Sequence, residues 1–348
     1  MVMSSFDGSR TTEALVIHEK NDLRLDTVPL QEPGPGEVLV SPAWGGICGS
    51  DMHYLLHGGA GASVLREPMI LGHEVSGIVD AIGPGATRFQ VGQPVAIHPA
   101  RACGQCPECQ RGVRHLCRNM RFFGSAAFLP HTQGGFRRQM VVGEDQLYPL
   151  PPGLDVRRAS LAEPFSVALH AIARAGDVSG RRVMVQGAGP IGSLIVAGLK
   201  IAGAREIIAT DLHDFPLEIA TRLGATGARN TSRETNEEEY PIVFEATGVS
   251  AALPTAIRRT EKGGILVQVG IFPPGDIPAP LGQIIARELD YRGTFRFDTE
   301  FGDALKMLAD NPWIADGLIT HSFQLEDYAD AFAASLDRKT SSKVLLAL

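Results

Sequence analysis

The sequence predicts an α/β chain in which a β-rich domain is followed by a doubly wound parallel sheet. Three observations carry that expectation. Up to Pro151 the chain is a series of short apolar runs punctuated by glycine and proline. From Arg182 onward, apolar strand-length runs alternate with helix-length segments, the pattern of parallel strands joined by crossover helices. A Gly-x-Gly-x-x-Gly motif at Gly187, Gly189 and Gly192 stands between the first of those strands and the first of those helices.

The elements follow in chain order. Ala14–His18 and Glu37–Ser41 read as strands, separated by Pro33, Gly34, Pro35 and Gly36. Glu74–Val79, closed by Gly83-Pro84-Gly85, and Gln93–His98 continue the β pattern. After Pro151-Pro152-Gly153 the character changes, and Ala159–Ala175 reads as helix. The alternating region is then read as strand Val183–Val185, helix Ile191–Ala202, strand Glu206–Thr210, helix Phe215–Leu223, and strands Ile242–Ala246 and Gly264–Val269. Residues 230–239 are polar and read as a solvated loop. Thr299–Asp310 and Leu325–Leu336 are helical candidates, and Lys343–Leu346 is a closing strand. This last stretch is separate from the alternating region and is expected to return to the first domain.

Size and charge narrow the function. A chain of 348 residues has room for two domains. A net charge of −7 argues against nucleic acid and anionic membrane surfaces, both of which attract basic patches. No apolar run is long enough to span a bilayer. The polar start, residues 1–14, lacks the apolar core of a signal peptide and is expected to be a leader before the first strand, with the cytoplasm as default location. Five cysteines, four of them in one short stretch, point to metal rather than to a disulfide framework.

The glycine motif has a nucleotide-binding reading. Gly187 permits the turn, Gly189 lets the backbone approach a pyrophosphate, and Gly192 lets the helix sit close to the strand. Pro190 and Ile191 open that helix, whose N-terminus faces the phosphates. Asp211, about 20 residues on, is placed to accept hydrogen bonds from a ribose 2′-hydroxyl and to repel a 2′-phosphate, which favours NAD. A protonated His213 would suit a 2′-phosphate, so NADP stays open.

The cysteines have two readings. Cys103, Cys106, Cys109 and Cys117, spaced C-x-x-C-x-x-C-x(7)-C, can close a tetrahedral zinc site with no place for water; an iron–sulfur cluster is the competing metal. Such a structural zinc contributes on the order of 10 kcal/mol to its loop. That leaves Cys48, in Gly46-Ile47-Cys48-Gly49-Ser50-Asp51-Met52-His53-Tyr54, read as a strand ending in a turn that presents a thiolate. His73 and Glu74 are candidates to join it, and Glu163 is the candidate third ligand of a catalytic zinc with an open position. A helix cap is the other reading of Glu163, and a group beside the metal or a transient ligand is the other reading of Glu74.

Together, Gly72-His73-Glu74, the four-cysteine loop, the glycine motif and Asp211 resemble the zinc-dependent medium-chain dehydrogenases over essentially the whole chain. Residues 48–54 and 162–171 resemble the polyol branch, the sorbitol dehydrogenase relatives, where Glu replaces a third cysteine ligand. A narrower resemblance, carried by residues 120–126, 134–136, 188–192 and 292–297, is to L-idonate 5-dehydrogenases.

The resemblance implies a GroES-like catalytic domain (1–158 and 294–348) interrupted by a Rossmann domain (159–293). It also implies two zinc ions per chain, one catalytic and one structural, and a homodimer or homotetramer. The implied reaction passes a hydride from a secondary hydroxyl to NAD(P), with Ser50 and His53 as the proton path, and turns L-idonate into 5-keto-D-gluconate. Sorbitol, xylitol or butanediol is the alternative substrate, and a non-catalytic NAD(P)H-binding protein is the alternative of another class. An aldonate carboxylate calls for a guanidinium, for which Arg121 and Arg296 are candidates; Tyr54 and Phe297 are candidates to line the pocket. One departure from the family stands out: many relatives carry Arg near the adenine where this chain has Pro216.

Overall fold

A computed structural model describes residues 10–235 and 237–348. Most of the expected leader, residues 1–9, therefore lies outside the described residues. The chain opens with an antiparallel hairpin, Thr11–Glu19 and Asp22–Pro29, turned at Asn21 in the left-handed conformation. Its first strand also pairs with Met69–Ile70.

The main β-rich sheet runs Leu147–Pro149, Pro94–Ile97, Glu74–Ile82, Glu37–Gly46, Lys343–Ala347, Ile319–Gln324, with Met140–Gly143 also paired to Glu37–Gly46. The last two strands of the chain thus complete the sheet of its first part. Register places this matter close to the site, because Gly46 lies opposite Glu74 on one side and Leu345 on the other. A Cβ on Gly46 would fall 2.0 Å from Glu74 Oε2, so glycine is the residue that lets the Glu74 side chain cross this strand.

The second sheet is fully parallel, with strands Gly227–Asn230, Glu206–Asp211, Arg182–Gln186, Tyr240–Glu245, Thr260–Gln268 and Asp290–Gly293 in spatial order. Numbered by sequence this is 3-2-1-4-5-6, the dinucleotide-binding order. Its central strands are buried on both faces and read as continuous apolar runs.

Residues 294–348 divide between the two units. Phe301–Asp310 and Trp313–Leu318 form helices, and their apolar residues Phe301, Leu305, Leu308, Ile314 and Leu318 share one hydrophobic cluster with the helices Ala162–Ala175 and Pro190–Ile201 of the parallel-sheet unit. Only from Ile319 does the chain join the β-rich sheet, where Leu325, Phe332, Val344 and Leu346 enter its core.

Most expected strands and helices form. The chief difference is at residues 49–57, expected as part of a turn and found as the helix Gly49–His57 with Cys48 at its N-cap. Gly45 and Gly46 before it and Gly49 at its start obscure the helix, but Met52 and Tyr54 provide its buried side.

Candidate active site and metal centres

Strand Glu37–Gly46 delivers Cys48 to the start of this helix. Asp51, one turn in and fully buried, accepts the Cys48 N–H with Oδ2 at 2.9 Å and the Gly72 N–H with Oδ1 at 3.2 Å. One carboxylate therefore fixes the two backbone stretches that present Cys48 and His73. Its Oδ1 also lies 3.9 Å from His73 Nδ1. Burial pushes the Asp51 carboxyl up, against the pull of His73 and of those amides.

Cys48, His73 and Glu74 place a sulfur, a nitrogen and a carboxylate oxygen within 4.8 Å of one another. Burial opposes a proton on His73, yet Cys48, by charge and by hydrogen bond, together with Asp51 and Glu163, overcomes it and raises the imidazole to about 10. Anionic donors around one point favour positive charge there. A divalent cation answers the same demand while leaving the imidazole neutral, so the donor set fits zinc.

Two carboxylates compete for the third place. Distance alone favours Glu74. Charge favours Glu163. Both oxygens of Glu74 lie 2.8 Å from Lys343 Nζ, which also donates to Ile47 O at 3.1 Å, and all of these groups are buried. Glu74 thus already has a cation. Glu163, in the first turn of Ala162–Ala175, is 6% exposed and its side chain makes no hydrogen bond or ion pair among the described residues. Burial, partly offset by His73, raises its carboxyl to about 7. A buried carboxylate without a partner needs one, so Glu163 stands beside Glu74 as a candidate donor that a metal would satisfy.

The second centre is local. Cys106 Sγ lies 3.4 Å from Cys109 Sγ and 3.7 Å from Cys117 Sγ, and Cys117 Sγ lies 3.5 Å from Cys103 Sγ. The amide of Gln105 draws the Cys103 thiol down to about 6. Four converging sulfurs that form no disulfide fit one tetrahedral zinc.

The remaining expected residues fall in three groups. Arg296 is at the site: its guanidinium stacks 4.5 Å from the centroid of Phe122, whose ring lies 5.4 Å from that of His73. Arg121 is not. Alternation on the strand Arg121–Phe122 sends it outward, where it donates to Pro130 O at 2.9 Å and covers Phe128. Tyr54 is 2% exposed and its hydroxyl accepts the Ala126 N–H at 2.9 Å, while Phe297 turns into the core against His98 and Phe301. Ser50 lies in the first turn of its helix and His53 is exposed beside His57, with no hydrogen bond between Ser50 and His53 among the described residues.

At the nucleotide motif, Gly187 has φ 96° and donates to Thr210 O at 2.8 Å. A Cβ on Gly192 would fall 1.8 Å from Gly187 O, whereas one on Gly189 would meet nothing within 4 Å. The first enforces helix–strand packing, and the second leaves an open approach at the N-terminus of helix Pro190–Ile201. Asp211 Oδ2 accepts the Ala188 N–H at 2.9 Å and Oδ1 the His213 N–H at 3.0 Å, which anchors the carboxylate beside the motif. Pro216 is buried in the helix Asp214–Arg222.

Two functional groups escaped the sequence reading. Asp51 had a signal, an acid three residues after a candidate N-cap. Lys343 had only its oddity, a lysine opening an apolar strand.

Residues 34–152 match the alcohol dehydrogenase GroES-like domain, and residues 190–310 match the zinc-binding dehydrogenase family. The chain is 36% identical over 317 residues to L-idonate 5-dehydrogenase (NAD(P)(+)) of Escherichia coli, covering 89% of this chain and 91% of that protein. It is 33% identical over 336 residues to sorbitol dehydrogenase of Bacillus subtilis, covering 94% of each. The crystal structure of the Escherichia coli L-idonate 5-dehydrogenase superposes with a TM-score of 0.91 at 33% identity, covering 97% of this chain and 99% of that one. The chain belongs to the zinc-dependent medium-chain dehydrogenases, in their polyol branch.

Proposed function

We propose that this chain oxidises a secondary hydroxyl of a sugar acid with NAD as acceptor, and that L-idonate, giving 5-keto-D-gluconate, is its substrate. The observation that carries the sugar-acid reading is Arg296. It is partly buried, it lies over Phe122 beside His73, and no carboxylate among the described residues lies within ion-pair distance of it. A guanidinium held in this way offers two parallel donors to a substrate carboxylate.

Zinc held by Cys48, His73 and Glu163 would supply Lewis acidity that eases deprotonation of a hydroxyl, and zinc held by the four cysteines would close their lobe. NAD, lying along Gly187, Gly189, Pro190, Ile191 and Gly192 with its ribose at Asp211, would supply the hydride acceptor. The protein's own groups do the rest. Asp51 orients His73 and the Cys48 turn, and Lys343 keeps Glu74 from competing with Glu163. Ser50 and His53 form the proton path, Ser50 giving up its own proton as it accepts that of the substrate hydroxyl, and the His53 pKa is lowered by burial and by His57 and Arg338. Phe122 excludes water beside His73.

We divide the catalytic and nucleotide domains near residues 158 and 294, the helices at 301–318 lying against the nucleotide domain. A homodimer or homotetramer is supported by the exposed Leu281, Ile285 and Tyr291 on and before the edge strand Asp290–Gly293. Five unpaired thiols suit the reducing cytoplasm. Among the described residues no helix is long and apolar enough to cross a membrane.

A panel of L-idonate, sorbitol, xylitol and butanediol, each with NAD and NADP, tests the reading. NADH formation from L-idonate is expected; turnover of sorbitol with none of L-idonate would defeat the sugar-acid assignment. Metal analysis should return two zinc ions per chain, and one or none would sink the catalytic centre.

A further inference from the structure

Arg296 has φ 54°, a conformation that non-glycine residues keep only when their surroundings impose it. What imposes it lies just beyond. Glu300 accepts the Asp298 N–H with Oε2 at 2.7 Å, and its Oε1 lies 2.7 Å from His170 Nδ1. Asp298 Oδ1 lies 3.4 Å from His115 Nδ1, at ion-pair distance without hydrogen-bond alignment. The His115 and His170 rings meet edge to face, 4.9 Å between centroids. All four side chains are largely buried, from 10% exposed at His170 to 27% at Asp298.

These residues come from three separate elements. His115 belongs to the four-cysteine lobe. His170 lies on the helix Ala162–Ala175, seven residues after Glu163 and so on the same face two turns along. Asp298 and Glu300 lie between Arg296 and the helix Phe301–Asp310. None of the four belongs to either metal donor set or to the nucleotide motif. We propose that His115, His170, Asp298 and Glu300 form a clasp that holds the Arg296 turn in register with the Glu163 helix, making His170 and Glu300 positioning residues for an anionic substrate. The substrate part rests on the reading of Arg296 given above. The clasp explains how Arg296 keeps a strained backbone with no ion pair of its own: its turn is fixed by neighbours bonded to the same helix that carries Glu163.

Zinc-replete enzyme should show a split between KM and kcat. Glu300→Ala and His170→Ala should raise KM for L-idonate about tenfold, with kcat, KM for NAD and KM for sorbitol within about twofold, as expected for coupling within one contact network. Glu300→Gln and His170→Asn, which keep an acceptor and a donor in place, should recover most of the loss. Arg296→Ala with Glu300→Ala should be no worse than Arg296→Ala alone. Additive losses, or equal losses for the anionic and the neutral substrate, overturn the clasp as a specificity device. Hydrogen exchange provides the readout independent of substrate: Glu300→Ala should speed exchange of amides 294–298. Unchanged exchange there overturns the clasp, whatever the substrate. An unchanged L-idonate KM in Arg296→Ala, with exchange accelerated in Glu300→Ala, overturns instead the carboxylate reading and leaves the clasp standing.

Discussion

The two cysteine centres of this chain are built in opposite ways. One draws four thiols from a single stretch of fifteen residues, Cys103 to Cys117, and its sulfurs close on one another. The other, as we propose it, gathers Cys48, His73 and Glu163 from a helix N-cap, the residue before a strand and the first turn of a distant helix. Its supports come from farther still, since Lys343 is contributed by the last strand. A centre whose ligands share one segment needs only that segment to fold, and it leaves no ligand position free. A centre assembled by tertiary structure depends on everything that positions its donors. That dependence is what allows an open coordination position to be held rigidly, because no donor can relax toward its neighbours without moving an element of the fold.

The sharpest break between the centres should be Glu163→Ala. Loss of this donor should reduce kcat by more than the ~100-fold that follows loss of a group merely supporting a ligand. The four-cysteine lobe should keep its zinc and the far-UV circular dichroism should not change. Activity near the parent level would transfer the ligand role to Glu74. A chelator such as dipicolinate sharpens the same contrast: it should inhibit the native enzyme, while the zinc of the closed centre is released only on unfolding.

The reverse change is Cys106→Ser. Zinc content should fall from two ions per chain to one, and the thermal midpoint or the assembly state should fall with it, because the lobe loses the metal that fixes it. A soluble, zinc-replete mutant of equal heat resistance would falsify the structural assignment.

This contrast also explains what the sequence made legible. The C-x-x-C-x-x-C-x(7)-C spacing marks the closed centre because its geometry is local, and Gly187, Gly189 and Gly192 mark the phosphate site for the same reason. Period-two and helical patterns placed most strands and helices. Cys48, His73 and Glu163 could be joined only by residue type, a leftover thiol, an imidazole opening a strand and an acid in an apolar run, since nothing local links residues so far apart; the family resemblance then supported that grouping. Arg121 and Arg296 were equal candidates in sequence; only strand alternation separated them. The helix Gly49–His57 was hidden by Gly45, Gly46 and Gly49 around its start, and Lys343 became meaningful only through the register that sets Leu345 against Gly46.

Lys343→Met therefore tests the dependence on remote support. It leaves Glu74 buried without its cation, which should cost about 3–5 kcal/mol in denaturant unfolding. It should also lower kcat about 10–100-fold as Glu74 becomes free to disturb the donors. Pairing it with Glu74→Gln should recover much of the stability. If Lys343→Met alone is as stable as the parent, the buried pair does not support the centre.

The smallest effect is expected at the counterpart position of the closed centre. Asn119 Nδ2 approaches Cys103 Sγ at 3.7 Å, the contact nearest in kind to Lys343 on Glu74. Yet Asn119 is exposed, and Cys103 already has backbone amides aimed at it. Asn119→Ala should leave stability within about 0.5 kcal/mol of the parent, as at other exposed positions, with two zinc ions per chain and unchanged kcat. A loss as large as that of Lys343→Met would mean that the closed centre also leans on side chains outside its own ligands. The proposed difference between a self-sufficient centre and one assembled by the fold would then fail, because both would need external support for their donors.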